Sequence, residues 1–168
     1  MRKFLDGLYS AAAWLAGLSM IGILVMVLLT ILSRVVGFSA PGTDAYAGYA
    51  MAGAGFMALA STFKKGEHIR VTLLLGALKG TALKIMEVLA LGIATLLAGF
   101  LAFYATRLTW QSWEIEDISV GIDATPMWIP QVFMALGTFI FFIALCDELV
   151  LELLGKRQAI VNEDAHHE

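Results

Sequence analysis

The chain has 168 residues, of which 60% are hydrophobic and 15% charged, and its formal net charge at pH 7 is −3. With a mean hydropathy of +0.82, its polar side chains are too few to cover a soluble globule, which excludes an ordinary soluble domain. The small net charge gives no reason to expect a nucleic-acid partner. The single cysteine, Cys146, excludes an internal disulfide framework.

The first apolar run extends from about residue 8 to 32 and follows Arg2 and Lys3. A secretory signal has an apolar segment of only about 7–15 residues, whereas about 20 apolar residues are needed to span a bilayer. We therefore expect an uncleaved first transmembrane helix. Arg34 and a turn-forming sequence that ends in Pro41 and Gly42 follow this helix.

The second apolar run, from about residue 45 to 63, is dominated by Ala and Gly. Small residues let helix backbones approach closely in lipid, so this second span is predicted to present a packing face. The face could contact other helices of the chain or a partner protein. Its predicted members are Gly48, Ala50, Ala52, Ala54 and Ala58.

A dense polar stretch from Lys64 to Arg70 follows the second span. We predict that lipid headgroups or a partner protein are contacted by Lys64, Lys65, His68 and Arg70. The alternative is a basic loop that is merely solvated. Immediately afterwards, Val71, Leu74, Leu75 and Leu78 recur at helical spacing. That spacing predicts a short amphipathic helix in the membrane interface.

Two further apolar runs complete the pattern, at about residues 83–106 and 127–151. Arg107 is predicted to end the third span, and Thr125 to cap the fourth, with Pro126 at its first helical position. The expected fold is an all-α integral membrane protein in which residues 1–168 form one four-span domain.

Charge asymmetry predicts the orientation. Basic residues concentrate near the N-terminus, after the second span and near the C-terminus, whereas only Arg34 and Arg107 lie on the opposite side. The positive-inside rule therefore places both termini in the cytoplasm. On the opposite side, Arg34 and Asp44 are a candidate interfacial ion pair. An acidic loop there contains Glu114, Glu116, Asp117 and Asp123.

The centres of the four predicted spans contain no ionisable side chain of the kind that marks proton or ion pathways. A membrane haem site needs axial ligands within the spans, yet His68 lies in a loop. Neither a catalytic triad nor a phosphate-binding loop is present in the sequence. We therefore expect neither an enzyme nor a bound cofactor or metal.

Several motifs resemble one transporter family. They are Pro41-Gly42-Thr43-Asp44, Ala47-Gly48, Phe56-Met57-Ala58-Leu59-Ala60, Lys65-Gly66-Glu67-His68-Ile69-Arg70-Val71, and Trp128-Ile129-Pro130-Gln131 with Met134-Ala135-Leu136-Gly137. Together they resemble the small membrane subunit (Q-type, DctQ-like) of tripartite ATP-independent periplasmic (TRAP) transporters. The chain departs from that family at Asp44, often Glu, and near residues 78–83, where a Leu-Pro is common.

The resemblance implies a small permease subunit of the bacterial cytoplasmic membrane. It would scaffold a large, sodium-coupled elevator subunit that imports an organic acid delivered by a periplasmic binding protein. The expected partners are those two proteins and membrane lipids, and sodium would bind the large subunit rather than this chain. The acidic loop is then a candidate docking site for the binding protein. The alternative is a structural four-helix subunit of another membrane complex, such as a respiratory assembly.

Overall fold

The computed structural model describes residues 2–64 and 81–154, which fold into four helices. These are α1 (Arg2–Val36), α2 (Thr43–Lys64), α3 (Thr81–Glu114) and α4 (Trp128–Leu153). Three of them are long and apolar enough to cross a membrane, over Leu5–Val36, Leu83–Glu114 and Trp128–Leu153. The chain is therefore a multi-pass membrane protein.

Helix α2 has 22 residues, which at about 1.5 Å per residue is long enough to cross a hydrocarbon core of about 30 Å. Glycine, tyrosine and hydroxyl residues dilute its apolar character, so the fourth span stays a prediction. The amphipathic helix expected around residues 71–78 lies outside the described residues, and the orientation of both termini also stays a prediction.

Helices α2 and α4 form the centre of the packing, with α1 against α2 and α3 against α4. One buried cluster joins Tyr9, Ala60 and Ala144 from three helices. The other two clusters comprise Ala12, Ala16 and Met57, and Leu91, Ala98 and Leu145. Alanine recurs in all three because small side chains permit close helix approach, which is the main source of packing energy in lipid.

The closest approach between α2 and α4 occurs at Gly137. A Cβ atom there would lie 2.5 Å from both the carbonyl carbon and the carbonyl oxygen of Phe56. On the same face of α2, a Cβ at Gly53 would lie 3.2 Å from Oγ of Ser19 in α1. Only glycine allows the backbone contact at Gly137, so this residue fixes how closely the two central helices pack.

Two predicted boundaries are wrong. Helix α3 continues past Arg107 to Glu114, because arginine ends an apolar span but is a good helix former. Helix α4 begins at Trp128 rather than at Pro126, and Met127 occupies the N-cap position without a side-chain capping bond. Pro126 instead forms an antiparallel bridge with Ile118.

Candidate functional site at the two ends of the helices

A compact turn links α3 to α4 at one end of the protein. Glu116 has a φ of 53°, the amide of Asp117 donates to the Ser112 carbonyl at 2.9 Å, and the amide of Glu116 donates to the Trp113 carbonyl at 3.3 Å. This pair of bonds is a Schellman motif, whose left-handed position is usually glycine. The motif ends α3 and turns the chain back toward α4.

The α3–α4 hairpin, residues 117–127, follows this turn. The amide of Ser119 donates to the Thr125 carbonyl at 2.9 Å, and the amide of Met127 donates to the Asp117 carbonyl at 2.9 Å. These bonds flank the bridge between Ile118 and Pro126. The backbone hydrogen bonds of the hairpin are therefore internal, and its position relative to the helices depends on side-chain contacts.

Asp123 attaches the hairpin to α2. Its carboxylate accepts hydrogen bonds from the Tyr49 hydroxyl at 2.9 Å and from the Ser119 hydroxyl at 3.0 Å. The Thr125 hydroxyl donates to the Tyr46 hydroxyl at 3.3 Å, and the two tyrosine rings pack edge to face with centroids 6.0 Å apart. Because these donors come from two elements, Asp123 holds the hairpin on the first turns of α2.

The hairpin also needs glycine opposite Asp123. Gly42 has a φ of 81°, and a Cβ atom at this position would lie 3.0 Å from Cβ of Asp123. A side chain at position 42 would meet both a strained backbone conformation and a close neighbour. The turn before α2 can therefore lie this close to the hairpin only because residue 42 has no side chain.

Nearby hydroxyl groups lower the pKa of Asp123 from 3.8 to about 2; the adjacent Thr125 side chain is the largest cause, and desolvation opposes the shift. Hydrogen bonds from Tyr49 and Ser119 contribute in the same direction. Donors to a carboxylate favour its charged form. Ionised Asp123 therefore stabilises the docked hairpin at pH values above 3.8, and this contribution is lost as the pH falls through about 2.

We expect Asp123 to titrate near its lowered pKa of about 2 when aspartate carboxyl carbons are followed by NMR in detergent. The double variant Tyr49→Phe/Ser119→Ala should move that pKa upward because it removes the two hydroxyl groups that donate to the carboxylate. Tyr104→Phe, which alters an exposed tyrosine of α3, should change nothing. An unshifted titration in the double variant would show that these donors do not hold the hairpin.

The opposite end of the protein contains an ion pair between α2 and α4. Nζ of Lys64 lies 2.9 Å from Oδ2 of Asp147, and the two side chains are 33% and 23% exposed. The same ammonium lies 5.3 Å from the centroid of the Tyr9 ring of α1. This polar cluster joins three helices directly beside the buried contacts of Tyr9, Ala60 and Ala144.

A comparison with protein families matches residues 23–155 to the family described as tripartite ATP-independent periplasmic transporters, DctQ component. This range includes the α3–α4 hairpin and the pair of Lys64 and Asp147, and it covers more than three quarters of the chain. The chain belongs to the DctQ family. A search of curated proteins finds no match. The family identifies the chain as a small permease subunit of a TRAP transporter, and it favours this identity over a structural subunit of another complex.

In this DctQ family member the predicted acidic loop divides into two parts. Glu114 is the last residue of α3, and Glu116 and Asp117 are exposed beside it. Asp123 is half-buried and holds the hairpin. The carboxylates available to a partner are therefore the first three, and the sequence pattern alone did not separate them from Asp123.

The predicted cytoplasmic-face contacts are only partly described. Lys64 closes α2 and pairs with Asp147, whereas Lys65, His68 and Arg70 lie outside the described residues. The pairing of Lys64 was missed because its partner is 83 positions away along the chain. A signal was nevertheless present, since Asp147 is a rare acidic residue near the end of an apolar run.

The small residues predicted to form the packing face of α2 point in several directions. A Cβ at Gly22 of α1 would lie 3.8 Å from Cβ of Ala50, and Ala58 packs against the cluster of Ala12, Ala16 and Met57. Ala52 and Ala54 are half-buried. Gly48 is exposed, and a Cβ there would meet nothing within 4 Å. The buried positions of this stretch include Gly53 and Met57, neither of which was among the predicted members of the packing face.

The predicted pair of Arg34 and Asp44 is not observed, since both side chains are exposed and no ion pair joins them in the described part of the chain. A neutral contact links α1 to α2 at this position. The Thr30 hydroxyl donates to the Thr43 hydroxyl at 2.8 Å. Among residues 2–64 and 81–154, no group of three or more His, Cys, Asp or Glu side chains could hold a metal ion.

Proposed function

We propose that this DctQ family member is a fixed scaffold for the large membrane subunit of a TRAP transporter. In this proposal the large subunit moves an organic acid by a sodium-driven elevator motion, and a periplasmic protein delivers the substrate. The small subunit contributes helices that support the large one, binds no sodium itself, and resides in the bacterial cytoplasmic membrane. Substrate selectivity then belongs to the other two components.

The observation that carries the proposal is the exposed apolar surface of α1. Only 6% of its most apolar 18-residue window is buried, and large side chains such as Leu24 and Leu28 are more than half exposed. From residue 7 to 33, α1 contains no Asp, Glu, Lys, Arg or His. A helix of this kind can pack on lipid or on another membrane protein, but it offers no charged group for moving an ion.

The two ends of the protein have separate proposed roles. The basic stretch from Lys64 to Arg70 anchors the cytoplasmic face through headgroup phosphates or the large subunit, as the positive-inside distribution of charge suggests. Glu114, Glu116 and Asp117 face the periplasm and attract the binding protein. Docking of the hairpin on α2 supports this second role, because a held loop loses less conformational entropy on binding.

The test is reconstitution of the transporter from its separate components. The large subunit, co-purified with this chain in mild detergent, should import substrate into proteoliposomes under an inwardly directed sodium gradient, and only when the binding protein is present outside. This chain alone should transport nothing. Failure to co-purify with a large multi-span protein would contradict the scaffold, and transport by the isolated chain would contradict it more directly.

The same reconstituted system tests the proposed roles of the two ends independently. Glu116→Lys/Asp117→Lys should weaken docking of the binding protein several-fold at low salt, with the effect shrinking at high salt as expected of exposed charges. Asp44→Lys, another exposed acidic residue outside the hairpin, is the matched control. His68→Ala/Arg70→Ala should reduce assembly. Unchanged docking or unchanged assembly would remove the corresponding role.

A further inference from the structure

Two adjoining cavities lie between α3 and α4 at the Asp123 end. One has a volume of about 480 Å³, and its lining includes Thr106, Trp110, Val132, Leu136 and Phe139. The other has a volume of about 560 Å³, and its lining includes Glu114, Glu116, Ile118 and Pro126. Trp113 and Trp128 line both, so the two cavities adjoin at these tryptophans, and together they are called the α3–α4 groove. Each volume falls within the roughly 300–1,000 Å³ typical of small-molecule sites.

The character of the α3–α4 groove changes along its length. Its first part lies within the membrane-spanning helices and is almost wholly apolar, and its second part opens beside the hairpin and carries two carboxylates. The tryptophans stand where the two parts meet, as indole rings do at the boundary between hydrocarbon and headgroups. A groove that is apolar in the membrane and charged at its outer end matches an amphiphile.

Polar contacts join α3 to α4 at the groove, although its lining within the membrane-spanning helices is almost wholly apolar. The Thr109 hydroxyl donates to the Ala105 carbonyl at 2.9 Å and to the Gln131 carbonyl at 3.2 Å, which ties α3 to α4. Trp110 and Trp113 pack edge to face with ring centroids 5.4 Å apart. These contacts between and along α3 and α4 help to set the shape of the groove.

We propose that the α3–α4 groove binds a phospholipid whose headgroup carries a primary ammonium. One acyl chain lies along the apolar part, and the ammonium lies beside the carboxylates of Glu114 and Glu116, so that a bound headgroup and the binding protein compete for these two side chains. The ammonium donates to these carboxylates in charge-assisted hydrogen bonds, and the adjacent indole faces of Trp113 and Trp128 attract the same cation. Indole N–H groups are donors, so they suit the phosphate that follows the ammonium in such a headgroup.

Charge complementarity selects this occupant over other lipids. Among the described residues, the lining of the outer part includes two carboxylates and no Lys or Arg, which disfavours a phospholipid with a net negative charge. A quaternary ammonium has the same charge as a primary one but no N–H to donate to a carboxylate. The expected order of affinity is therefore primary ammonium, then quaternary ammonium, then anionic headgroup.

The test measures quenching of tryptophan fluorescence by phospholipids with brominated acyl chains. The full chain carries Trp14→Phe, because Trp14 lies on α1 outside the groove and is 79% exposed; Trp110, Trp113 and Trp128 then report on the groove. Brominated phosphatidylethanolamine should reach half-maximal quenching at a roughly two- to fivefold lower mole fraction than brominated phosphatidylglycerol, because each exposed charge pair is weakened by solvent screening. Brominated phosphatidylcholine should fall between them.

Variants of the groove test whether its two carboxylates and its apolar part cause the lipid preference. Glu114→Gln/Glu116→Gln should bring the ethanolamine and glycerol curves together, and Asp117→Asn, outside the cavity lining, should keep them apart. Ala135→Phe, which fills the apolar part, should abolish the tighter quenching in every lipid. Coincident curves for the unaltered groove, or a preference for phosphatidylglycerol, would overturn the proposal. Absence of quenching by all three lipids would also overturn it, and would indicate that protein covers the groove.

Discussion

Replacing Gly137 with alanine should separate the two central helices and destabilise the protein by about 1–3 kcal/mol, the usual cost of overpacking a tightly packed contact. The new Cβ would lie 2.5 Å from backbone atoms of Phe56, and backbone inside a helix cannot rotate aside as a side chain can. Alanine is favoured over glycine within a helix by about 1 kcal/mol, so the two effects oppose each other. A net loss of stability would show that the steric contact dominates.

The matched control for Gly137→Ala is Gly92→Ala in α3. A Cβ at Gly92 would meet nothing within 4 Å, so this variant should keep or slightly raise stability through helix propensity alone. Both variants are compared by thermal unfolding of the detergent-solubilised chain. If Gly137→Ala is as stable as Gly92→Ala, then α2 and α4 do not pack as closely as the structure indicates.

The helices could be predicted from the sequence because hydrocarbon thickness imposes a length on every apolar run. The end of α3 could not be predicted in this way. Arg107 marks where an apolar span stops, but the backbone hydrogen bonds of a helix continue through any good helix former. Trp110 and Trp113 therefore lie on a further helical segment and line the groove, beyond Arg107, where the third span was predicted to end.

The start of α4 shows the same limit. Thr125 and Pro126 have the composition of a helix N-terminus, yet they close the α3–α4 hairpin. Proline suits both places for one reason, since its missing N–H is unneeded in the first turn of a helix and at an unpaired edge. Choosing between them needed Asp123 and Tyr49, whose contact spans 74 positions of the chain.

The packing face of α2 was obscured by its own composition. Small residues occur on every side of this helix, so their spacing indicates that close packing is possible without identifying the side on which it happens. The structure distinguishes Gly53, which is buried between α1 and α4, from Gly48, which is exposed. The difference depends on where α1 and α4 lie, which is a property of tertiary contacts.

Neutralising one partner of the ion pair between Lys64 and Asp147 should also have a large effect. We expect Lys64→Met to cost about 1–3 kcal/mol, between the values of exposed and fully buried pairs, because both side chains are partly exposed. Asp147→Asn should cost less, since Lys64 keeps an amide oxygen as acceptor and keeps its position over the Tyr9 ring. A double-mutant cycle in the same unfolding assay measures the coupling.

The double variant Lys64→Met/Asp147→Leu decides what the pair does. If the pair mainly prevents an uncompensated charge at the end of the helices, replacing both residues with apolar ones should restore most of the stability lost by Lys64→Met.

Tyr9→Phe is the control for the third residue of this polar cluster. The Tyr9 hydroxyl is buried without a hydrogen-bond partner within the described residues, so its removal should be neutral or stabilising. If the effects of Lys64→Met and Asp147→Leu, each measured alone, simply add in the double variant, the 2.9 Å contact between Lys64 and Asp147 does not couple α2 to α4. A positive coupling would mean that the end of α2, and with it the entry to the basic stretch that follows Lys64, is positioned by α4.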